Sequence, residues 1–366
     1  MVDRRRLLTG AVGLGALALA GCTRGDDEPR VVTPSEPAPS PSATTSAPPD
    51  PRVAGTVTDG LNVPWAIVFL PGGDALVSQR DEGTVVRVAP DGTTTTLGGV
   101  SGSRGGAGGE AGLLGLAIDP DDATRLFAYQ TTASDNRVVT MRLDGDRLVG
   151  QEPVLTGIPV GSRHQGGALL FAPDGTLFVA TGEAGDPPLA QDPDSLGGKV
   201  LRIRRDGSAV EGADSRVWSL GHRNVEGLAL DDGGELWASE FGERTSDELN
   251  RIERGGNYGW PEVEGEGGPD RFVQPVVTWP TDQCSPAGLA ITRSTAFLAA
   301  LRGECLWSVP LTGDGAGEPV RLFEGEHGRL RSVAVAPDGS LWVGTSNTDG
   351  RGDVRDGDDR ILRVTL

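Results

Sequence analysis

Residues 168–181 read ALLFAPDGTLFVAT: a short apolar run, a Pro-Asp-Gly turn, then a second run rich in β-branched and aromatic residues. Two such runs about a tight turn read as a β-hairpin. The unit recurs along the chain. Its first runs are AIVFL (66–70), LGLAID (114–119), ALLFA (168–172), GLALD (227–231), GLAIT (288–292) and SVAVA (332–336). The runs after the turn are ALVSQ (75–79), RLFAYQ (125–130), TLFVAT (176–181), ELWASE (235–240), TAFLAA (295–300) and SLWVGT (340–345). Third runs follow in order: TVVRVA, RVVTMRL, KVLRIR, ELNRIE, CLWSVP and RILRVTL. Successive units lie roughly 45 to 60 residues apart, the period of propeller blades.

Fourth runs separate the units: TTTTLGGV, PVLTGI, SRVWSL, QPVVTW and PVRLFEG. None follows the sixth unit, but RVAGTV (52–57) is available to complete it. That pairing would close the ring and cover an edge strand that otherwise invites aggregation. The expected fold is therefore all-β, a six-bladed β-propeller of four-stranded antiparallel blades spanning 52–366. Six matched units weigh against the alternative of two β-sandwiches.

What precedes the propeller reads as an address and a tether. Arg4-Arg5-Arg6-Leu7-Leu8 matches a twin-arginine export signal, and the apolar run from Ala11 to Ala20 is short for a membrane span. Leu19-Ala20-Gly21-Cys22 resembles a bacterial lipobox, so a signal peptide over 1–21 and lipidation of Cys22 are expected, anchoring an exported protein to the outer face of the cell membrane. Residues 22–51 are mostly Pro, Ser, Thr, Ala and acidic residues, too poor in apolar surface to offset ordering entropy, and read as a disordered tether. The chain carries 33 basic and 52 acidic residues, a net charge of −19, which excludes nucleic acid as a natural partner. Cys284 and Cys305 would meet an oxidising compartment after export, which allows a disulfide between them.

Propeller topology sorts the loops. Naming the strands of a blade A to D from the axis outward, A–B turns share one face, while B–C loops and D–A crossovers share the other. His164, His222-Arg223-Asn224 and Arg329-Leu330-Arg331 (with His327 just before) lie in crossovers, and Glu110 and Trp279-Pro280-Thr281 precede blades 2 and 5. The three histidines and several arginines are thus expected to converge on one rim of the channel, a concentration of chemistry that generic turns lack.

Five segments then resemble one family, the soluble pyrroloquinoline quinone (PQQ)-dependent glucose and aldose sugar dehydrogenases. They are GEAGLLGLA (109–117), RHQGGALLFAPDG (163–175), WSLGHRNVEGLAL (218–230), SEFGERTSDELNRIERGGNYGWP (239–261) and GRLRSVAVAPDGSLWVGTSNTDGRG (328–352). The likeness covers essentially the whole region after the tether. It implies a six-bladed quinoprotein that oxidises the anomeric carbon of an aldose to a lactone, using PQQ and Ca²⁺, and passes electrons to an acceptor the sequence does not identify.

By the same resemblance His164 is the base that takes the anomeric proton, a task suited to imidazole near neutral pH, and Glu183 is its acidic partner. Arg223 and Asn224 match the pair beside the quinone carbonyls, where fixed donors stabilise developing charge. Arg329 and Arg331 match positions that hold the cofactor's carboxylates, and Arg302 stands where a lysine is frequent. Thr281 and Asn347 complete the implied cofactor contacts. Glu110 stands where a glutamine commonly touches PQQ, and a carboxylate there needs a proton or an arginine partner. The carbonyls of Gly242 and Glu243 match ligands of a catalytic calcium, and Glu248 with the Tyr258 backbone a second, structural calcium. A calcium-dependent lactone or ester hydrolase and a non-catalytic ligand-binding propeller are the alternatives the fold permits. Arg351-Gly352-Asp353 is ascribed to chance in an Asp- and Arg-rich loop.

Overall fold

A computed structural model describes residues 49–366 apart from 107 and 314; the expected signal peptide, the lipidation site Cys22 and nearly all of the tether lie outside the described residues. The fold is the expected six-bladed propeller, all-β but for one turn of 3₁₀ helix at Pro187–Ala190. Blade 1 runs outward from Pro64–Phe69, blade 2 from Leu113–Asp119 and blade 3 from Gly166–Phe171. Blades 4, 5 and 6 start at Val225–Leu230, Pro286–Thr292 and Leu330–Val335. In blade 6 the outermost strand is Arg52–Thr58, which pairs antiparallel with Ile361–Thr365, Arg52 opposite Thr365. First and last strands thus close the ring, leaving no open edge at the seam. Among the described residues no helix is long and apolar enough to cross a membrane.

The Pro-Asp-Gly turns show why the sequence bends there. In residues 172–176 the Gly175 N–H donates to Ala172 O at 2.9 Å, and Gly175 takes φ +77°, open mainly to glycine. Asp174 Oδ1 accepts the Thr176 N–H at 3.1 Å, locking the return strand. Residues 336–340 repeat both bonds.

Crowding at the axis explains a second pattern. One position in each inner strand is small: Ala66, Gly115, Ala168, Gly227, Gly288 and Ser332. A Cβ on Gly115 would lie 2.1 Å from Gly167 O of the next blade, and one on Gly227 would lie 2.5 Å from Ala287 O. Neighbouring blades therefore touch backbone to backbone at that level. Hydroxyls stitch them together: Ser78 Oγ donates to Leu114 O and Ser239 Oγ to Ala287 O.

Each inner strand also breaks register with its neighbour near its start. In blade 4 the shift falls between Val225 and Gly227, and in blade 6 between Leu330 and Ser332. The extra residues are Glu226 and Arg331. A bulge re-aims the side chain it carries, and here it turns two charged side chains toward each other from different blades. Between blades, apolar side chains form six buried clusters, such as Phe127, Leu177, Val179 and Leu201 between blades 2 and 3.

Cys284 and Cys305 correct an expectation. Both are buried free thiols in the cluster between blades 4 and 5, and no disulfide joins them. Burial pushes both thiols up, that of Cys305 to about 12.

Candidate active site

At the end of the channel where crossovers and B–C loops meet lies a cavity of about 240 Å³. Crossovers bring Glu110, His164, Arg223, Asn224 and Arg329 to it, and the inner-strand bulges of blades 4 and 6 bring Glu226 and Arg331. B–C loops of blades 4, 5 and 6 add Gly242, Arg302 and Arg351. Five arginines and two glutamates share this wall, a local excess of positive charge on a chain of net charge −19.

His164 sits in the left-handed region, φ +57°, with its ring against Glu183: Nδ1 to Oε1 is 2.5 Å and both residues are buried. That bond leaves Nε2 as the ring nitrogen open to the cavity. Glu183 is placed by its own N–H, which donates to Arg223 O at 2.9 Å. Its Oε2 has no partner among the described residues, and neither does Arg223 Nε. Arg223 lies over the Trp260 ring, 5.4 Å from its centroid. Burial pulls its guanidinium below the ordinary arginine value, and the Glu183 charge opposes that. Arg223 Nη1 donates to Phe241 O at 3.3 Å, and among the described residues no carboxylate forms an ion pair with its guanidinium.

Arg329 and Arg331 are held by acids. Arg329 donates to Asp349 Oδ2 from Nε and Nη2 at 3.1 and 3.0 Å, and Arg331 Nη1 reaches Glu226 Oε2 at 2.8 Å. Arg302 is exposed and pairs with no carboxylate among the described residues. Asn224 Oδ1 accepts the Gly166 N–H, two residues beyond His164, and its Nδ2 donates to Glu226.

Several expected residues lie elsewhere. His222 is fully buried behind the cavity, bridged between Ser219 and Glu240 and stacked on Tyr258. His327 packs edge-on against Phe323 outside the lining. Only His164 of the three therefore faces the cavity. Asn347 spends its side chain on the Arg329 N–H, His327 O and Asp358. Among the described residues the Thr281 hydroxyl hydrogen-bonds only Arg244 O, at 3.4 Å, outside the lining. Glu226 and Arg351 are lining residues that sequence reading missed. The signal for Glu226 was a lone charge in the apolar run VEGLAL, at the level where blade 6 carries Arg331.

The chain belongs to the glucose/sorbosone dehydrogenase family. The family model for glucose/sorbosone dehydrogenases matches residues 61–362. Among solved structures, the PQQ-bound aldose sugar dehydrogenase of Streptomyces coelicolor is 50% identical with a TM-score of 0.84, covering 88% of this chain and 99% of that one. A Thermus thermophilus oxidoreductase described as a glucose dehydrogenase is 42% identical, TM-score 0.79, over 86% and 100%. The aldose sugar dehydrogenase of Escherichia coli is 31% identical over 80% of this chain and 89% of its own. These relatives make the family member described here an oxidoreductase of the sugar dehydrogenase type.

A second cluster lies behind the cavity. Glu240 and Glu248 stand directly opposite each other on adjacent strands of blade 4, and Asn250 Nδ2 donates to both. Opposed like charges weaken a sheet unless something compensates. Burial, with Glu240 adding to it, pushes the Glu248 carboxyl up to about 8. Glu264 Oε1 gathers the N–H groups of Glu243, Arg244, Thr245 and Ser246. The loop is thereby folded onto a carboxylate, and among the described residues no donor reaches the carbonyls of Gly242 or Glu243. Two unused hard oxygens and a pair of crowded buried carboxyls are donors of the type calcium takes.

Proposed function

We propose that this protein is a PQQ- and calcium-dependent aldose sugar dehydrogenase that oxidises the anomeric carbon to a lactone. The N-terminal motif supports export and lipid anchoring at the outer face of the membrane. One observation carries the reading: a buried His164–Glu183 dyad facing a cavity in which two of the five lining arginines, Arg223 and Arg302, have no carboxylate partner among the described residues. That charge suits a small molecule bearing several carboxylates better than a neutral ligand.

Bound there, PQQ supplies the hydride acceptor. Arg329, Arg331 and Arg302 would hold its carboxylates, with Arg223 and Asn224 beside its carbonyls. The carbonyls of Gly242 and Glu243 would take the calcium next to it, while Glu248 and the Tyr258 backbone would take the structural one. His164 Nε2 accepts the proton of the anomeric hydroxyl, and Glu183 fixes the Nδ1–H tautomer and stabilises the imidazolium. Dye reduction with an aldose panel, after PQQ and Ca²⁺ are added to purified apoprotein, tests this. Activity dependent on both supports it; lactone hydrolysis without PQQ overturns it in favour of a hydrolase.

The carboxyls give a second test. Burial raises Asp247 from 3.8 to about 6 and Glu248 from 4.5 to about 8. Folded values above unfolded ones mean the native state holds the extra protons. Their contribution is full below about pH 4 and lost as pH rises toward 8. The Tm of the apoprotein should fall by on the order of 5 °C from pH 5 to pH 8. Glu248→Gln should flatten that slope above pH 6, and Ca²⁺ should raise Tm more at pH 8 than at pH 5. Equal stabilisation by calcium at both pH values would remove Glu248 from the metal site.

A further inference from the structure

We propose that Glu110 is a positioning residue: its carboxylate clamps the backbone of His164 from the neighbouring blade, and Arg351 holds that carboxylate in place. The inference rests on the reading of His164 as proton acceptor. Glu110 Oε2 accepts the His164 N–H at 2.6 Å, a bond from the crossover into blade 2 to the crossover into blade 3. Glu110 Oε1 pairs with Arg351 Nη2 at 3.1 Å, reaching across from blade 6. Both oxygens are engaged, so the side chain holds protein rather than offering a free acceptor to a ligand.

His164 needs such a clamp. Its φ of +57° is disfavoured for any residue with a Cβ, and strained conformations persist only where their surroundings fix them. Its carbonyl accepts the Ala184 N–H at 3.0 Å, and a Cβ on Gly182 would lie 2.0 Å from it, so that side is packed shut. On the amide side the Glu110 carboxylate is the acceptor. Arg351, the arginine of the Arg-Gly-Asp triplet, is itself anchored: its N–H donates to Asp349 Oδ1 at 2.9 Å, and Asp349 O accepts the Gly108 N–H at 3.0 Å. The loop of blade 6 thus closes onto the crossover that carries Glu110. Burial alone would favour a proton on Glu110, but the His164 N–H and Arg351 outweigh it and hold the carboxyl below its usual range. The acid that seemed misplaced beside an anionic ligand is neutralised by protein.

The test uses the full chain labelled with ¹⁵N-histidine. With only three histidines, His164, His222 and His327, the ring signals are assigned by single substitutions. In the apoprotein, Glu110→Ala should shift and broaden the His164 signals and leave those of His222 in place, while Arg351→Ala should move them part-way. In the PQQ-loaded enzyme, Glu110→Ala should lower kcat by about 10²-fold, the scale of a misplaced reacting group, with KM for the aldose within threefold. Glu110→Gln keeps an oxygen for the same N–H and should restore most of the lost kcat. Unmoved His164 signals in Glu110→Ala overturn the clamp, as does a glutamine variant no better than alanine. The apoprotein spectra need neither quinone nor sugar, so an inactive wild-type enzyme would sink the functional reading and still leave the clamp tested.

Discussion

Replacing His164 with alanine should lower kcat by about 10³-fold, within the range a positioned general base contributes, while PQQ still binds to the calcium-loaded protein. The separation follows from the geometry. The His164 ring reaches the cavity at one point of its wall, whereas five arginines from four blade segments supply the charge that would retain an anion. Glu183→Gln should cost nearly as much without disturbing the fold. An amide can accept from Nδ1–H through its oxygen, but it cannot stabilise the imidazolium, and its NH₂ group can impose the wrong tautomer. The Glu183 carboxylate is buried, its Oε1 is the atom that meets His164 Nδ1, and its other oxygen has no partner among the described residues. Dye-linked kcat, measured beside quinone binding by absorbance titration, checks both. A loss under tenfold in His164→Ala would assign proton transfer to another group.

The architecture was legible because blades repeat. Each unit pairs the same turn chemistry with the same apolar spacing, and six repetitions average out local ambiguity. Closure by Arg52–Thr58 followed from a strand lacking at one end and spare at the other. The rim that gathers Glu110, His164, Arg223, Asn224, Arg329 and Arg331 was legible too, since topology alone assigns each crossover to a face. Side-chain direction within a crossover was not. His222 and Arg223 are adjacent, yet one is entombed between Ser219 and Glu240 and the other lines the cavity. Glu226 was hidden because period-2 alternation assigns no special direction to it; the bulge between Val225 and Gly227 does. Arg351 reads in the sequence as part of a chance triplet because its partner, Glu110, lies 241 positions away. The cysteine pair failed differently: an oxidising compartment permits a disulfide, but both residues are buried free thiols in the core between blades 4 and 5.

Arg331→Met should destabilise the protein by about 3–5 kcal/mol, the cost of leaving a buried carboxylate without its partner. Glu226 and Arg331 meet at 2.8 Å, with side chains only 8% and 6% exposed. Burial already raises the Glu226 carboxyl, and the Arg331 charge is the main influence holding it down, with Glu110 pushing the other way. Without Arg331 the folded value moves still further above the unfolded one, so the variant should lose stability as pH rises. Its deficit in urea unfolding should be larger at pH 8 than at pH 5. Adding Glu226→Gln should recover all but about 1 kcal/mol, because apolar or neutral groups of similar size replace a buried pair at little cost. Recovery of stability should not bring recovery of quinone affinity. The double variant would be folded yet lack one of the guanidiniums facing the cavity, and weak PQQ binding by a stable protein would separate the two duties of Arg331. A double variant as unstable as the sum of its parts would mean that the two residues do not act as a pair, and that the bulges on blades 4 and 6 serve the backbone alone.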